Sequence, residues 1–391
     1  MKLLPLTAAC AALAVPLSGC GLFESNKSAA GGTGAITVAS TDTECDVSAG
    51  SAKSGTLSFK VKNNGSKVTE FYLLGEDGLR IVGEVENIGP GLTRDLVLTA
   101  QPGKYFTACK PGMIGKGIRA AFTVTDSGKD SSIKGVDQST IDQALTQYAA
   151  YVKDQAGQLV ADTQAFVGAY KSGDDAKART LFPQARTHWE GIETVAESFG
   201  DLDPRTDLRE ADLEPGQKWT GWHAIEKDLW PPAKKTGTAA YKAFSPAQRA
   251  TYAEDLMKNI NTLNTRVQTL KYTVDQIANG AKGLLDEVAT GKITGEEDIW
   301  SHTDLWDFQA NVDGAKVGYE TLKPLLDVRD KSLSQTLATR FAALQKLLDQ
   351  YKKGDGFVFY DTVDDAQRKQ LSDAVNALSE PLAKMAGALT L

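Results

Sequence analysis

Histidine is scarce in this 391-residue chain: His188, His223 and His302 are all there is, and each lies in the C-terminal two-thirds. No His-Glu-x-x-His segment occurs, so a zinc site of two imidazoles one turn apart with a built-in base is excluded. Basic charge is in deficit, with 43 Lys and Arg against 50 Asp and Glu and a net charge of −7. That argues against a nucleic-acid partner, which needs a basic face, and suits a protein that handles cations. Long apolar runs are missing as well. The run Leu3–Leu17 falls short of the roughly 20 residues that a spanning helix requires. Cysteine is limited to four residues, Cys10, Cys20, Cys45 and Cys109.

What is present begins with an address. Lys2, the apolar run and Leu17-Ser18-Gly19-Cys20 form the pattern of a bacterial lipoprotein signal. Residues 1–20 are therefore expected to be a signal peptide ending at a lipidated Cys20. Each buried lipid CH₂ contributes about 0.8 kcal/mol, so several acyl chains hold a protein firmly at a membrane. The expected location is extracytoplasmic and lipid-anchored. Residues 21–35, which include SNKSAAGGTG, read as a flexible tether.

The length suggests two domains, and a hydrophobic content of 41% is enough to give both a core. From 36 to 125 the apolar period is two, with candidate strands at 36–40, 55–61, 68–74, 92–98, 103–109 and 118–124. Asn63-Asn64-Gly65 and Pro90-Gly91 mark turns. The expected fold is a small β-sandwich that looks like a cupredoxin in length and strand order. A blue-copper site needs two imidazoles and a thiolate, and this stretch contains no histidine, so that site cannot be built. With Cys10 and Cys20 assigned to the signal and the lipid, Cys45 and Cys109 remain. Two readings stand: a disulfide, the usual state in an oxidising compartment, or a metal site made of Cys45, Glu70, Glu86 and Cys109. Thiolates in it favour copper and carboxylates favour iron.

Residues 126–136 are polar, rich in Gly and Ser, and read as a linker. From 137 to 391 the period is that of helices, and an antiparallel helical bundle is expected. Tyr252 to Ile277 steps by three and four without a break and predicts one long helix, started by Ser245-Pro246. Trp189, Ile192, Ala196 and Phe199 predict a helix near 184–199. Glu190, Glu193 and Glu197 flank its apolar stripe, where a carboxylate is costly to bury unless it is paired or binds a cation. Asp203 lies in the acidic loop that follows.

The densest stretch is TGWHAIEKDLW, residues 220–230. On a helix, His223 and Glu226 leave the same face and reach one ion; Pro231-Pro232 ends that helix. An HxxE pair alone is a weak signal, equally readable as a surface ion pair. With Glu190, Glu193 and Asp203 it predicts a metal centre. In GEEDIWSHTDLWDFQAN, residues 295–311, capping of a helix near Asp304 by Ser301 or Thr303 and aromatic packing explain most of the pattern, so direct ligation by His302, Asp304 or Asp307 is not expected.

The lipobox, the cupredoxin-like region, Gly221-Trp222-His223-Ala224-Ile225-Glu226 and SHTDLWDFQAN (301–311) together resemble the EfeO family of exported iron-uptake components. The helical part resembles the imelysin-like proteins and their GxHxxE signature. ENIGPG, HWEGIE and DLDPRTDLRE fit as well. The resemblance implies iron as cargo at His223 and Glu226, with zinc as a substitute ion. It implies a second site, for copper or ferric iron, on Cys45, Glu70, Glu86 and Cys109. It also implies an iron permease and a haem peroxidase as partners. A carrier is expected rather than an enzyme, with ferrous oxidation in the first domain as the one redox role left open. A metal-dependent peptidase is the alternative; it lacks a second histidine near the HxxE pair. A haem-binding protein is less suited, because each histidine has acidic neighbours.

Overall fold

Residues 36–125 fold into nine strands: β1 (Ile36–Ser40), β2 (Cys45–Val47), β3 (Ser51–Lys53), β4 (Gly55–Asn63), β5 (Thr69–Leu74), β6 (Ile81–Ile88), β7 (Thr93–Ala100), β8 (Gly103–Cys109) and β9 (Ile118–Thr125). In the computed structural model, residues 34–76, 78, 81–113, 115–128, 133, 135–233 and 240–390 are described. The signal segment, Cys10, Cys20 and most of the tether lie outside them.

Two sheets, ordered β2-β1-β4-β7 and β3-β9-β8-β5-β6, face each other. Between them Val38, Phe59, Val61, Phe71, Leu73, Leu96, Leu98 and Phe122 form the core. The expected sandwich is therefore present. β2, β3 and β6 are additions to the predicted strands, the first two of three residues each and the longest being β6. Its buried apolar residues Val82, Val85 and Ile88 fall at intervals of three, because the β5–β6 ladder changes register twice. A bulged strand hides the period of two.

Cys45 and Cys109 are joined in a disulfide that ties β2 to β8 with a Cα–Cα distance of 5.6 Å. This corrects the thiolate metal site: neither sulfur is free to ligate. The pleat separates the carboxylates as well. Cys109 stands opposite Phe71 on β5 and shares its core-facing side, whereas Glu70, next to Phe71, points to the other face.

The helical domain contains α1 (Gln138–Ser172), α2 (Asp175–Ile192), α3 (Asp203–Thr206), α4 (Trp222–Leu229), α5 (Pro246–Val267), α6 (Val274–Thr290), α7 (Asp304–Arg329), α8 (Lys331–Leu348), α9 (Asp365–Leu382) and α10 (Met385–Thr390). Its core runs continuously from Ile141 to Leu389. Two sequence expectations need correction. The long helix from Tyr252 to Ile277 is two helices, since the chain leaves helical geometry after Val267 and restarts at Thr273, which accepts from the Gln276 N–H in a capping box. The helix near 184–199 ends at Ile192, and residues 193–202 form tighter 3-10 turns kinked at Val195 and Gly200. Ser245 caps α5 as expected.

The sandwich docks on the helices through β6 and β7, which meet α6, α10 and the 193–202 turns. The Thr99 N–H donates to Asp275 at 2.6 Å, and the Asn279 amide donates to the Val97 carbonyl. No described helix is long and apolar enough to cross a membrane.

The disulfide closes a loop with a sequence separation of 64 residues, for which chain entropy gives on the order of 4 kcal/mol of stabilisation. The described part of the chain contains only these two cysteines, so denatured, unreduced protein starting at Gly34 should show no free thiol. Reduction should release two thiols and lower the melting temperature of the sandwich. A free thiol before reduction contradicts the bridge.

Candidate metal centre

The centre is organised by α4. Gly221 precedes it with φ 89°, and a Cβ at that position would lie 2.0 Å from the Thr206 carbonyl oxygen. Only glycine permits this backbone and this approach to α3, which explains the first letter of GxHxxE. One turn later His223 and Glu226 leave the same face, and both are completely buried. The imidazole Nδ1 lies 3.0 Å from Glu226 Oε2. The other Glu226 oxygen accepts the backbone N–H groups of Trp300 at 3.1 Å and Ser301 at 2.8 Å. On the far side of the ring, Nε2 faces Asp207 Oδ1 at 3.3 Å and Glu297 Oε1 at 3.5 Å. Asp298 Oδ1 is 3.9 Å from Nδ1.

A buried arginine holds this group together. Arg186 on α2 is completely covered and contacts Glu190, Asp207, Glu297 at 3.1 Å, Asp298 at 3.8 Å and Asp307 at 2.9 Å. Beside it, Lys292 pairs with Glu190 at 2.7 Å and Glu193 at 2.9 Å, with Glu297 at 3.7 Å. The Asn311 amide also donates to Glu190 and Glu193. Carboxylates still outnumber these cations. Among the described residues, the buried atoms His223 Nε2, Asp298 Oδ1 and Asp307 Oδ1 have no hydrogen-bond partner. Such orphaned atoms demand an explanation, an unseen ion being one.

The titrations follow. Burial opposes ionisation of Asp207 and Glu297, yet Arg186 and the nearby imidazole of His223 hold Asp207 well below the usual range, and Lys292 and His223 do the same for Glu297. Burial pushes Asp298 and Asp307 well up, with Arg186 opposing. Burial and Arg186 press the His223 ring toward neutrality, and the adjacent carboxylates of Asp207, Glu226 and Glu297 outweigh them, so its pKa rises. Three sets of donor atoms converge closely enough for one ion: Asp207, His223 and Glu297; His223, Glu226 and Asp298; Glu190, Glu297 and Asp307.

The predicted residues separate accordingly. His223 and Glu226 are together at the centre. Glu190 and Glu193 lie one layer away, matched to Arg186 and Lys292 rather than to the imidazole. Asp203, Glu70 and Glu86 line a cavity of about 690 Å³ between the two domains, together with Glu84, Glu193, Glu197, Asp207, Glu287 and Glu297. Cys45 and Cys109 are absent from that lining. Burial lifts Glu197 and Asp203 to about 7, and burial with the neighbouring acids lifts Glu84 and Glu86 well up. The stretch 295–311 contributes more than caps. It supplies Glu297, Asp298 and Asp307, and the Thr303 hydroxyl donates to the buried Asp298 carboxylate instead of capping α7. Arg186, Lys292, Glu297 and Asp298 were not singled out in the sequence. The signals available were Arg186 one turn before Glu190 on the buried stripe and the acidic run Glu296-Glu297-Asp298 before an aromatic.

Removing Arg186 leaves several buried carboxylates without their counter-ion. Arg186→Met should lower the unfolding free energy by roughly 3–5 kcal/mol, measured by urea denaturation, and a saturating divalent cation should restore part of the loss. A variant as stable as the parent contradicts a purely structural charge match.

The imelysin family profile matches residues 144–385, and a cupredoxin-like domain profile matches residues 10–124. The iron uptake system component EfeO of Escherichia coli (strain K12) is 36% identical over 363 residues, covering 91% of this chain and 92% of that protein. The proteins of the same name from Shigella flexneri and Escherichia coli O157:H7 match at the same 36% over 363 residues. With one profile spanning most of its helices and this identity along nearly its whole length, the chain belongs to the imelysin family, in the two-domain form it shares with the EfeO proteins.

Proposed function

We propose that this protein is the iron-binding component of an iron uptake system. It works outside the cytoplasm, tethered through a lipidated Cys20, captures iron around His223 and hands it to a membrane permease that acts alongside a haem peroxidase. The observation that carries this reading is the buried Nε2 of His223, without a hydrogen-bond partner and facing Asp207 and Glu297. The names of the similar proteins support iron as the cargo. One imidazole among carboxylates suits iron, zinc or manganese, and ferric iron, being hard, favours the carboxylate oxygens.

The sandwich's wall of the cavity offers the carboxylates of Glu70, Glu84 and Glu86 and the thioether of Met113. The sandwich has no histidine, and both its cysteines are oxidised, so its wall of the cavity favours iron over copper. A peptidase needs Glu226 or an equivalent as a general base. Glu226 has both oxygens engaged, by two backbone N–H groups and by the imidazole, and so is poorly placed to take a proton from water.

Two measurements test the proposal. His223→Ala combined with Glu226→Ala should weaken iron binding, read by calorimetry, at least tenfold, about 1.4 kcal/mol. Unchanged affinity removes the centre from the function. Cys20→Ala should move the protein from the membrane fraction to the soluble one, and continued membrane retention contradicts the anchor.

A further inference from the structure

We propose that residues 209–218 form a lid over the metal centre and that Lys227 of α4 is its latch. The inference rests on the proposed function, since it takes the centre around His223 to hold a cation. It goes further by naming what moves for that cation to pass.

His223 and Glu226 have no exposed surface, so an ion enters or leaves the centre only when a covering segment opens. The chain between α3 and α4 is built to be that segment. It closes on itself at a neck. The Trp219 indole N–H donates to the Leu208 carbonyl at 2.7 Å, and the Thr220 hydroxyl donates to the Arg205 carbonyl at 2.9 Å. A surface loop of this length whose ends meet is an Ω-loop, and the neck lets the part beyond it swing as one unit.

That part is lightly attached. All its residues except Arg209 and Leu213 are exposed, and the apolar core of the described residues includes none of them. The backbone N–H groups of Asp212, Leu213 and Gln217 donate to carbonyls of the loop itself, at Arg209, Glu210 and Glu214. A segment with few buried apolar contacts opens at little cost.

Charge holds the lid shut, and both fastenings sit on elements of the centre. The Lys227 ammonium donates to both carboxylate oxygens of Glu210. It also lies 5.5, 5.8 and 5.2 Å from the ring centroids of Trp219, Tyr241 and Trp300, where a part-desolvated cation is held more firmly than in water. Lys227 is the one residue of α4 that is not buried. It follows His223 by one turn, so latch and imidazole share a helix face. The second fastening is Arg209, whose Nη1 lies 2.7 Å from Glu296 Oε1 and 3.7 Å from Glu297 Oε2. Arg209 and Asp212 line the cavity that Glu297 also lines. The closed lid therefore sets a guanidinium beside an acid of the centre, where it repels an approaching cation. Opening withdraws that charge together with the wall.

The test uses the full two-domain protein with Zn²⁺ as the probe ion. A lid speeds entry and release alike, so loosening its latch changes both rates and leaves the equilibrium where it was. Glu210→Gln and Lys227→Met should each release Zn²⁺ to a competing chelator about three- to fivefold faster, as loss of one part-exposed ion pair allows. Entry, followed by stopped flow, should quicken by the same factor, with Kd unchanged. In the metal-free parent, the amides of 209–218 should exchange with deuterium faster than those of α4, and both variants should speed exchange in the loop alone. Variants that raise Kd while entry keeps its parent rate overturn the lid, because the latch then supports the bound state instead. Loop amides as slow as those of α4, or parent rates of Zn²⁺ entry and release in both variants, overturn it too and leave the proposed function standing. A parent protein that takes up no Zn²⁺ overturns both.

Discussion

The structure depends on burying more carboxylate than cation at one place. A carboxylate taken out of water costs several kcal/mol unless it meets a positive charge or holds a proton. Arg186 alone touches five acids, and Lys292 touches three, two of them shared with Arg186. What these side chains leave unmatched falls on protons, which is why Asp298 and Asp307 are pushed upward by burial. The bundle is thus not only a hydrophobic solution. Its interior gathers more carboxylates than basic side chains around Arg186 and Lys292.

The helices are placed to concentrate that field. α2 brings Arg186 and Glu190 one turn apart, and α7 packs so tightly on it that a Cβ at Gly314 would meet the Gly191 carbonyl at 2.3 Å. This close approach brings Asp307 and Asn311 to the same layer. α4, short and entered through Gly221, supplies the imidazole from the other side. The 298–303 turn closes the group with two backbone N–H donors on Glu226. Each device is local, yet all are held by the apolar core around Trp189, Phe199, Trp222 and Ile225, none of which is measurably exposed.

Much of this was legible in the sequence, and what was not has physical causes. The sandwich followed from alternation, and the bundle from the helical period of residues 137 to 391. His223 and Glu226 followed from one turn of helix. β6 escaped because a bulge breaks its period, and the break at 268–273 escaped because apolar spacing continues across it. Arg186 and Lys292 escaped for a different reason. A basic residue on a stripe edge is usually solvated, and only the fold shows that these two face inward onto acids from distant segments. The four-residue sulfur and carboxylate site failed on parity. Neighbouring strand positions point to opposite faces, so Glu70 and Cys109 were never on one side of the sheet.

That parity also explains why the sandwich matters to the centre. The face of β5 and β6 turned away from the sandwich core carries Glu70, Tyr72 and Glu84, with Tyr72 and Glu84 opposite each other in register. A face so acidic cannot rest on an apolar partner; it is matched instead with Glu193, Glu197, Asp203 and Glu287 across the cavity. The two acidic walls coexist because their pKa values are raised, to about 7 for Glu197 and Asp203, so that shared protons replace repulsion. Deeper in, Asp207 and Glu297 stay ionised against burial, the one beside Arg186 and the other beside Lys292. Negative charge is therefore weakest where the domains meet and most persistent beside His223. The cavity between the domains is thus lined both by acids that burial protonates and by acids that cations keep ionised.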